Sequence, residues 1–269
     1  MRGRLTICPT PIGNLDDLTP RVRAALAACD LVACEDTRRT GMLLHLLGID
    51  VRMLSVEAHR EQSQVPELLR RLQDGAHVCL ASDAGMPLVS DPGAAIVRAA
   101  IDAGIEVEVL PGPDAVTTAL VASGLPADRF AFVGFLPRGA AAIGRVLDRA
   151  DLWGVTLIVF ESPKRLPTTL AVLAERAPDR PIAVCRELTK LHEEVARGTA
   201  SEIAARFATA PKGEIALVLG PVSAPEAAPD AVEEVLAALR SGGMGARDAA
   251  RLVAGLTGRS ARDLYRPNR

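Results

Sequence analysis

Short runs of β-branched and apolar residues alternate along this chain with longer stretches whose apolar positions recur every three to four residues. LTICPT, DLVACE, VRMLS and HVCLAS have the character of buried strands, and RVRAALAA, TGMLLHLLGI, VPELLRRLQDG and AAIVRAAIDAG between and after them have helical spacing. This alternation predicts an α/β fold, a mainly parallel sheet covered by helices. A further strand, Glu106 to Leu110, runs into PGPDAVTTALVASG, where prolines and a glycine interrupt the pattern before a short apolar helix. Beyond it, VTLIVFES, a helix from Leu166 to Ala177, PIAVCREL, HEEVARG, a helix from Ser201 to Phe207 and EIALVLG form a second series. Glu193 to Gly198 follows its predecessor too closely for a crossover helix, so this series contains antiparallel pairing. The expected division is an α/β domain over 1–112, a second over 113–222 and a helical tail over 230–269. PVSAPEAAPD reads as a Pro/Ala linker to that tail, whose two helices and short third, joined by glycines, have helix-turn-helix spacing.

The stretch LASDAGMPLVSDPG, Leu80 to Gly93, stands where a strand ends and a helix begins. In open α/β sheets ligands bind at that edge, and glycine there lets backbone approach a ligand closely. Asp91 and Pro92 fit the N-cap and first residue of the following helix, which leaves Asp83 to Pro87 as the part that serves a ligand. TPIGNLDDLTP, CEDTRRT, LPGP, ESPKR and RELTK also stand at the carboxyl ends of predicted strands, so one cleft can collect them all.

Composition narrows the class. The 269 residues are 49% hydrophobic but only 3% aromatic, so the core is built from Ala, Val, Leu and Ile. No apolar run approaches the length of a membrane span and MRGRLTICPTPIG lacks a signal peptide's apolar stretch, so a cytoplasmic protein is expected. Cys8, Cys29, Cys34, Cys79 and Cys185 stand singly without metal spacing and read as reduced core residues; no metal is expected. The net charge is −2, yet residues 240–269 hold seven arginines and two acids, a basic appendage suited to phosphate.

Together PTPIGNL, CEDTRRTGMLL, SDAGMPLVSDPG, LPGPDAV, GLPADRFAFVGFLP, ESPKR, RELTK and KGEIALVLG make the chain resemble, over nearly its whole length, the tetrapyrrole-methylase-type S-adenosylmethionine-dependent methyltransferases. The combination of TPIGN, CEDTR, SDAG and RELTK is similar to the branch that methylates a cytidine 2′-oxygen of 16S rRNA. The resemblance implies two αβα domains with S-adenosylmethionine in the cleft between them, a helix-turn-helix-like tail, a homodimer, and 16S rRNA within the small ribosomal subunit as partner. It implies Pro11, Asp83, Met86, Asp114, Ala115, Phe160, Leu188 and Ala216 as cofactor-lining residues, with Asp83 as the acid near the cofactor's amine or ribose. The chain departs from the family pattern at Met86, where threonine is usual, at Lys164, where histidine is, and at Asp114, where serine or cysteine is common.

Methyl transfer is an in-line displacement that asks chiefly for alignment. A 2′-hydroxyl is a poor nucleophile, so a base or a cation beside the developing alkoxide would help. Glu35, Asp36, Glu161, Glu187 and Lys190 are the candidates, with Glu161, Lys190 and Glu35 foremost. Only Lys164, Lys190 and Lys212 are lysine among 31 basic residues. Lysine, unlike arginine, can lose its proton when desolvated, which singles out Lys190. Arg38, Arg39, Arg186 and the tail residues Arg247, Arg251 and Arg262 are candidate RNA phosphate contacts, or else a solvated surface. Two other functions fit parts of the pattern: methylation of a uroporphyrinogen-type tetrapyrrole, and non-catalytic RNA binding or ribosome assembly.

Overall fold

The computed structural model describes residues 3–57, 59, 61–222, 229–257 and 260–265. The first sheet contains β1 (Arg4–Cys8), β2 (Leu31–Cys34), β3 (Met53–Ser55), β4 (His77–Ala81) and β5 (Glu106–Val109), in the order β3-β2-β4-β1-β5. Every pairing in it is parallel. Side chains alternate between two helical layers, as the strand period requires. Leu31 and Ala33 join a core with Leu68 and Leu72 of α3 (Glu61–Gln73) and Ile96 and Ala100 of α4 (Ala94–Asp102). Val32 and Cys34 face the other way, onto Val22 and Leu26 of α1 (Pro20–Ala28) and Leu44 of α2 (Thr37–Leu47).

The second sheet has the order β6-β7-β10-β8-β9, from β6 (Phe130–Phe135), β7 (Thr156–Glu161), β8 (Pro181–Arg186), β9 (Glu194–Thr199) and β10 (Ile215–Leu219). Only β6 and β7 are parallel; β10 runs antiparallel to β7 and β8, and β9 antiparallel to β8. One face meets α6 (Ala140–Trp153), α7 (Leu166–Arg176) and α8 (Ala200–Arg206), and the other meets α5 (Ala115–Ser123). The strand β6 and helix α6 have no counterpart in the sequence expectation. RFAFVGF lacks alternation because β6 is an edge strand exposing Phe130, Val133 and Phe135, with a register shift between Phe132 and Phe135.

The tail forms α9 (Pro229–Ser241), α10 (Ala246–Thr257) and α11 (Ala261–Leu264) around a small core of its own, Val232, Leu236, Ala249, Ala250, Val253 and Leu264. Most of the expected linker, residues 223–228, lies outside the described residues. All five cysteines are buried and free. Among the described residues no helix is long and apolar enough to cross a membrane.

Candidate active site

The loops singled out in the sequence do converge. After β1, Thr10 pairs with Gly85 as a two-bond antiparallel bridge (3.0 and 2.9 Å), and Thr10 Oγ1 donates to the Ser82 carbonyl. The same loop then meets RELTK: the Asn14 amide donates to Thr189 Oγ1 at 3.0 Å. A Cβ on Gly13 would collide with Lys190 Cγ and lie 2.9 Å from the Leu188 carbonyl oxygen, so only glycine permits this approach. The non-glycine residues with positive φ among those described are Leu88 (72°), Ser90 (69°), Glu187 (52°) and Thr189 (65°). All four sit in the SDAG and RELTK loops, where surrounding contacts hold the backbone in an unfavourable region.

Between the sheets lies an apolar chamber of about 360 Å³. Its floor follows from strand register: Ala216 stands between Phe160 of β7 and Cys185 of β8, all on the α5 face of the sheet. Ile12, Ala84, Ala115, Phe135, Leu188 and Ile215 close it. Phe160 meets Phe132 and Phe135 edge to face, at 4.8 and 5.8 Å between centroids. A smaller chamber of about 140 Å³ shares Ala84, Ala115, Phe135 and Phe160 and adds Met86, Asp91 and Asp114. Thus Met86, Asp114, Ala115, Phe160, Leu188 and Ala216 are gathered around two adjoining spaces. Glu161, Glu214, Asp91 and Asp114 are their acidic side chains, and no basic one lines them among the described residues.

An open cavity of about 630 Å³ lies on the other side of Ile12, Ala84 and Glu214, the three residues it shares with the apolar chamber. Pro11, Asp83, Arg38, Arg39 and Lys190 line it, together with Leu15, Met42 and Leu46. Its cations are paired. Arg38 grips Asp36 through two bonds of 3.0 and 2.7 Å, holding that carboxyl down at about 2, and Arg39 reaches Asp83 at 3.4 Å. Lys190 Nζ lies 2.8 Å from Glu187 Oε1 and 2.7 Å from Glu214 Oε2. Burial works against the ammonium, but these two hydrogen bonds outweigh it and hold Lys190 above the ordinary lysine range. Lys190 is therefore a fixed cation.

The acids divide by occupation. Asp83 accepts from the Asp36 amide (3.1 Å) as well as Arg39. Asp114 caps α5 through the amides of Val116 and Thr117. Glu161 is sealed in the sheet, accepting from the Ser162 amide (2.7 Å) and Thr169 Oγ1 (2.6 Å) with Arg165 at 3.3 Å. Burial and then the charge of Asp83 raise Glu35, which lines none of these three spaces. Arg186 is tied away from them, to Glu194 and the Lys212 carbonyl. Arg247, Arg251 and Arg262 are exposed on α10 and α11.

One expectation is overturned. Asp91 does not cap α4: Gly93 occupies the N-cap with φ 129° and no side-chain bond, and helix residues begin at Ala94. Glu61 of α3 supplies the cap instead, accepting from the amides of Ala95 (2.5 Å) and Ile96 (3.4 Å). A carboxylate from a neighbouring helix took the place that local sequence assigned to Asp91.

The profile of the tetrapyrrole (corrin/porphyrin) methylases matches residues 4–204. The chain belongs to this family. Among tetrapyrrole methylases it is 44% identical over 268 residues to the ribosomal RNA small subunit methyltransferase I of Mesorhizobium japonicum, spanning 97% of this chain and 90% of that one. The protein of the same name from Thermotoga maritima is 43% identical over 218 residues, 81% of this chain and 98% of its own. A uroporphyrin-III C-methyltransferase from Thermus thermophilus, complexed with S-adenyl homocysteine, superposes with a TM-score of 0.57 at 22% identity, covering 80% of this chain and 97% of that one. At that identity the likeness concerns the fold.

Sequence reasoning missed Glu214. Glu214 precedes β10 rather than following a strand; because β10 is antiparallel to β7 and β8, its start lies beside their ends. The signal available was KGE, a charged turn directly before an apolar strand.

Proposed function

We propose that the protein is an S-adenosylmethionine-dependent rRNA methyltransferase that methylates the ribose 2′-hydroxyl of a cytidine in 16S rRNA, at position 1402. What carries the reading is the agreement between relatives named as small-subunit rRNA methyltransferases and a cleft with two unlike compartments meeting at Ile12, Ala84 and Glu214.

The apolar side suits the cofactor. Phenyl rings, aliphatic walls and carboxylates, with no basic side chain lining the chambers among the described residues, favour a cation that carries a flat heteroaromatic ring. Met86, Asp114, Ala115, Phe160, Leu188 and Ala216 would hold it, with Pro11 and Asp83 at the margin facing the open cavity. When bound, S-adenosylmethionine supplies a methyl group activated by its positively charged sulfur. The protein's own part is alignment and charge: Lys190, clamped by Glu187 and Glu214, stands on the open side as an ammonium that can stabilise negative charge developing on an acceptor oxygen. It does not act as a base at neutral pH. Glu161 has its oxygens engaged by the Ser162 amide and the Thr169 hydroxyl, and so serves to hold the end of β7 rather than to meet the acceptor.

The acceptor side is nearly neutral, because Arg38, Arg39 and Lys190 are each paired with acids. Long-range attraction of RNA therefore falls to the tail, where Arg247, Arg251 and Arg262 are exposed. The same reading places the protein in the cytoplasm as a homodimer acting on the small ribosomal subunit. Incubation with labelled S-adenosylmethionine and, separately, free 16S rRNA, small subunits or uroporphyrinogen tests it. Label is expected on RNA, and label on the tetrapyrrole alone would overturn it.

A further inference from the structure

We propose that Asp91 is the carboxylate that meets the cationic part of the cofactor, and that binding there releases a proton. The inference rests on the reading that the apolar cleft holds S-adenosylmethionine.

Geometry singles out Asp91 among the acids of the cleft. It lines the smaller chamber beside Met86, Asp114, Phe135 and Phe160. Its carboxylate makes no hydrogen bond or ion pair with any described residue, because Glu61 has taken the capping of α4. The other candidates are engaged: Asp83 with Asp36 and Arg39, Asp114 with α5, Glu161 with Ser162 and Thr169, and Glu214 with Lys190. The backbone leading to it is strained at Leu88 and Ser90, each in the left-handed region. Strain that places a carboxylate without a partner in a cavity wall is what a ligand contact would require.

Among the described residues, the charges facing Asp91 are of its own sign. Glu35 lies at the end of β2, Asp83 at the end of β4, Asp114 across the chamber at the start of α5, and the carboxylate of Glu61, from α3, against the first amides of α4. Arg39 is drawn off to Asp83. Burial first, and then the charges of Glu35 and Asp83, push the Asp91 carboxyl up to about 7. A cation arriving in the chamber reverses that balance, so Asp91 ionises and its proton passes to solvent. S-adenosylmethionine carries two such cations, a sulfonium and an ammonium; S-adenosylhomocysteine carries only the ammonium.

The test is calorimetric binding of each compound to the full-length protein, near pH 6 and pH 8, in two buffers of different ionisation enthalpy. For wild type, affinity should rise about tenfold across this range, the ratio expected when a group titrating near 7 must ionise, with net proton release near neutrality. Asp91→Asn should abolish both effects while unfolding cooperatively, and Asp91→Glu should restore the release. Effects confined to S-adenosylmethionine assign Asp91 to the sulfonium, and effects on both compounds assign it to the ammonium. Binding by Asp91→Asn with undiminished proton release and pH dependence would overturn the inference alone. A wild-type protein that binds neither compound would overturn the cofactor reading and this one with it.

Discussion

The backbone amide of Asn14 donates to Thr189 Oγ1 at 3.0 Å, joining residues 175 positions apart and tying the first sheet's edge to the second's. Gly13 makes that contact possible. Gly13→Ala would force its Cβ against the Lys190 stem and the Leu188 carbonyl, an overpacking that costs about 1–3 kcal/mol if the loops stay together. The loops are expected to part instead, weakening S-adenosylmethionine binding by about tenfold, the equivalent of ~1.4 kcal/mol, with little loss of melting temperature. Calorimetry and thermal unfolding check this, and unchanged affinity would mean that the loop contact does not shape the cleft.

Lys190→Met should separate binding from turnover. Removing a fixed cation from beside a developing oxyanion costs roughly 100-fold or more in kcat, while cofactor affinity should hold within about threefold. Because the hydrogen bonds to Glu187 and Glu214 keep Lys190 above the ordinary lysine range, the wild-type rate should not decline toward pH 9 through loss of its charge. A rate that falls with a midpoint near pH 8 in wild type but not in Lys190→Arg would contradict this.

Asp91 also predicts how stability varies with pH. Its carboxyl stands at about 7 in the fold against 3.8 ordinarily, so the folded state holds this proton more tightly than the unfolded one. The contribution to stability is complete below pH 4 and is lost as pH rises toward 7. Asp91→Asn should therefore raise the melting temperature relative to wild type more at pH 8 than at pH 4. Equal shifts at the two pH values would contradict the buried, like-charged surroundings of this carboxyl.

Removal of the tail from residue 229 onward should leave the cleft intact, since α9 to α11 pack around a core of their own. Affinity for S-adenosylmethionine is expected to stay within about twofold, while affinity for the RNA acceptor falls and its salt dependence becomes shallower by about one unit for each phosphate that the tail neutralises. Filter binding at several salt concentrations measures this. Equal turnover on small subunits by the shortened protein would show that the tail plays no part in RNA capture.

Much of this molecule is legible in its sequence. The β/α alternation places β1 to β5 and their helices, and the close spacing of PIAVCREL and HEEVARG correctly marks the antiparallel pair β8 and β9. The loops meet because parallel strands carry their carboxyl ends to one edge. What failed did so for identifiable reasons. Edge strand β6 has no buried face pattern on its outer side, Glu214 enters the site from the start of an antiparallel strand, and the cap on α4 comes from Glu61, 34 residues before the amide it serves. Each depends on contacts between distant segments. Met86 illustrates the limit: its side chain packs on the first core while lining the small chamber, which composition could not foretell.

The most direct test of the central claim is nucleoside analysis of small subunits incubated with the protein and methyl-labelled S-adenosylmethionine. After complete digestion of the rRNA, label is predicted to elute as 2′-O-methylcytidine from 16S rRNA. Label on a base, or no label on RNA under conditions where the protein binds the cofactor, would contradict it.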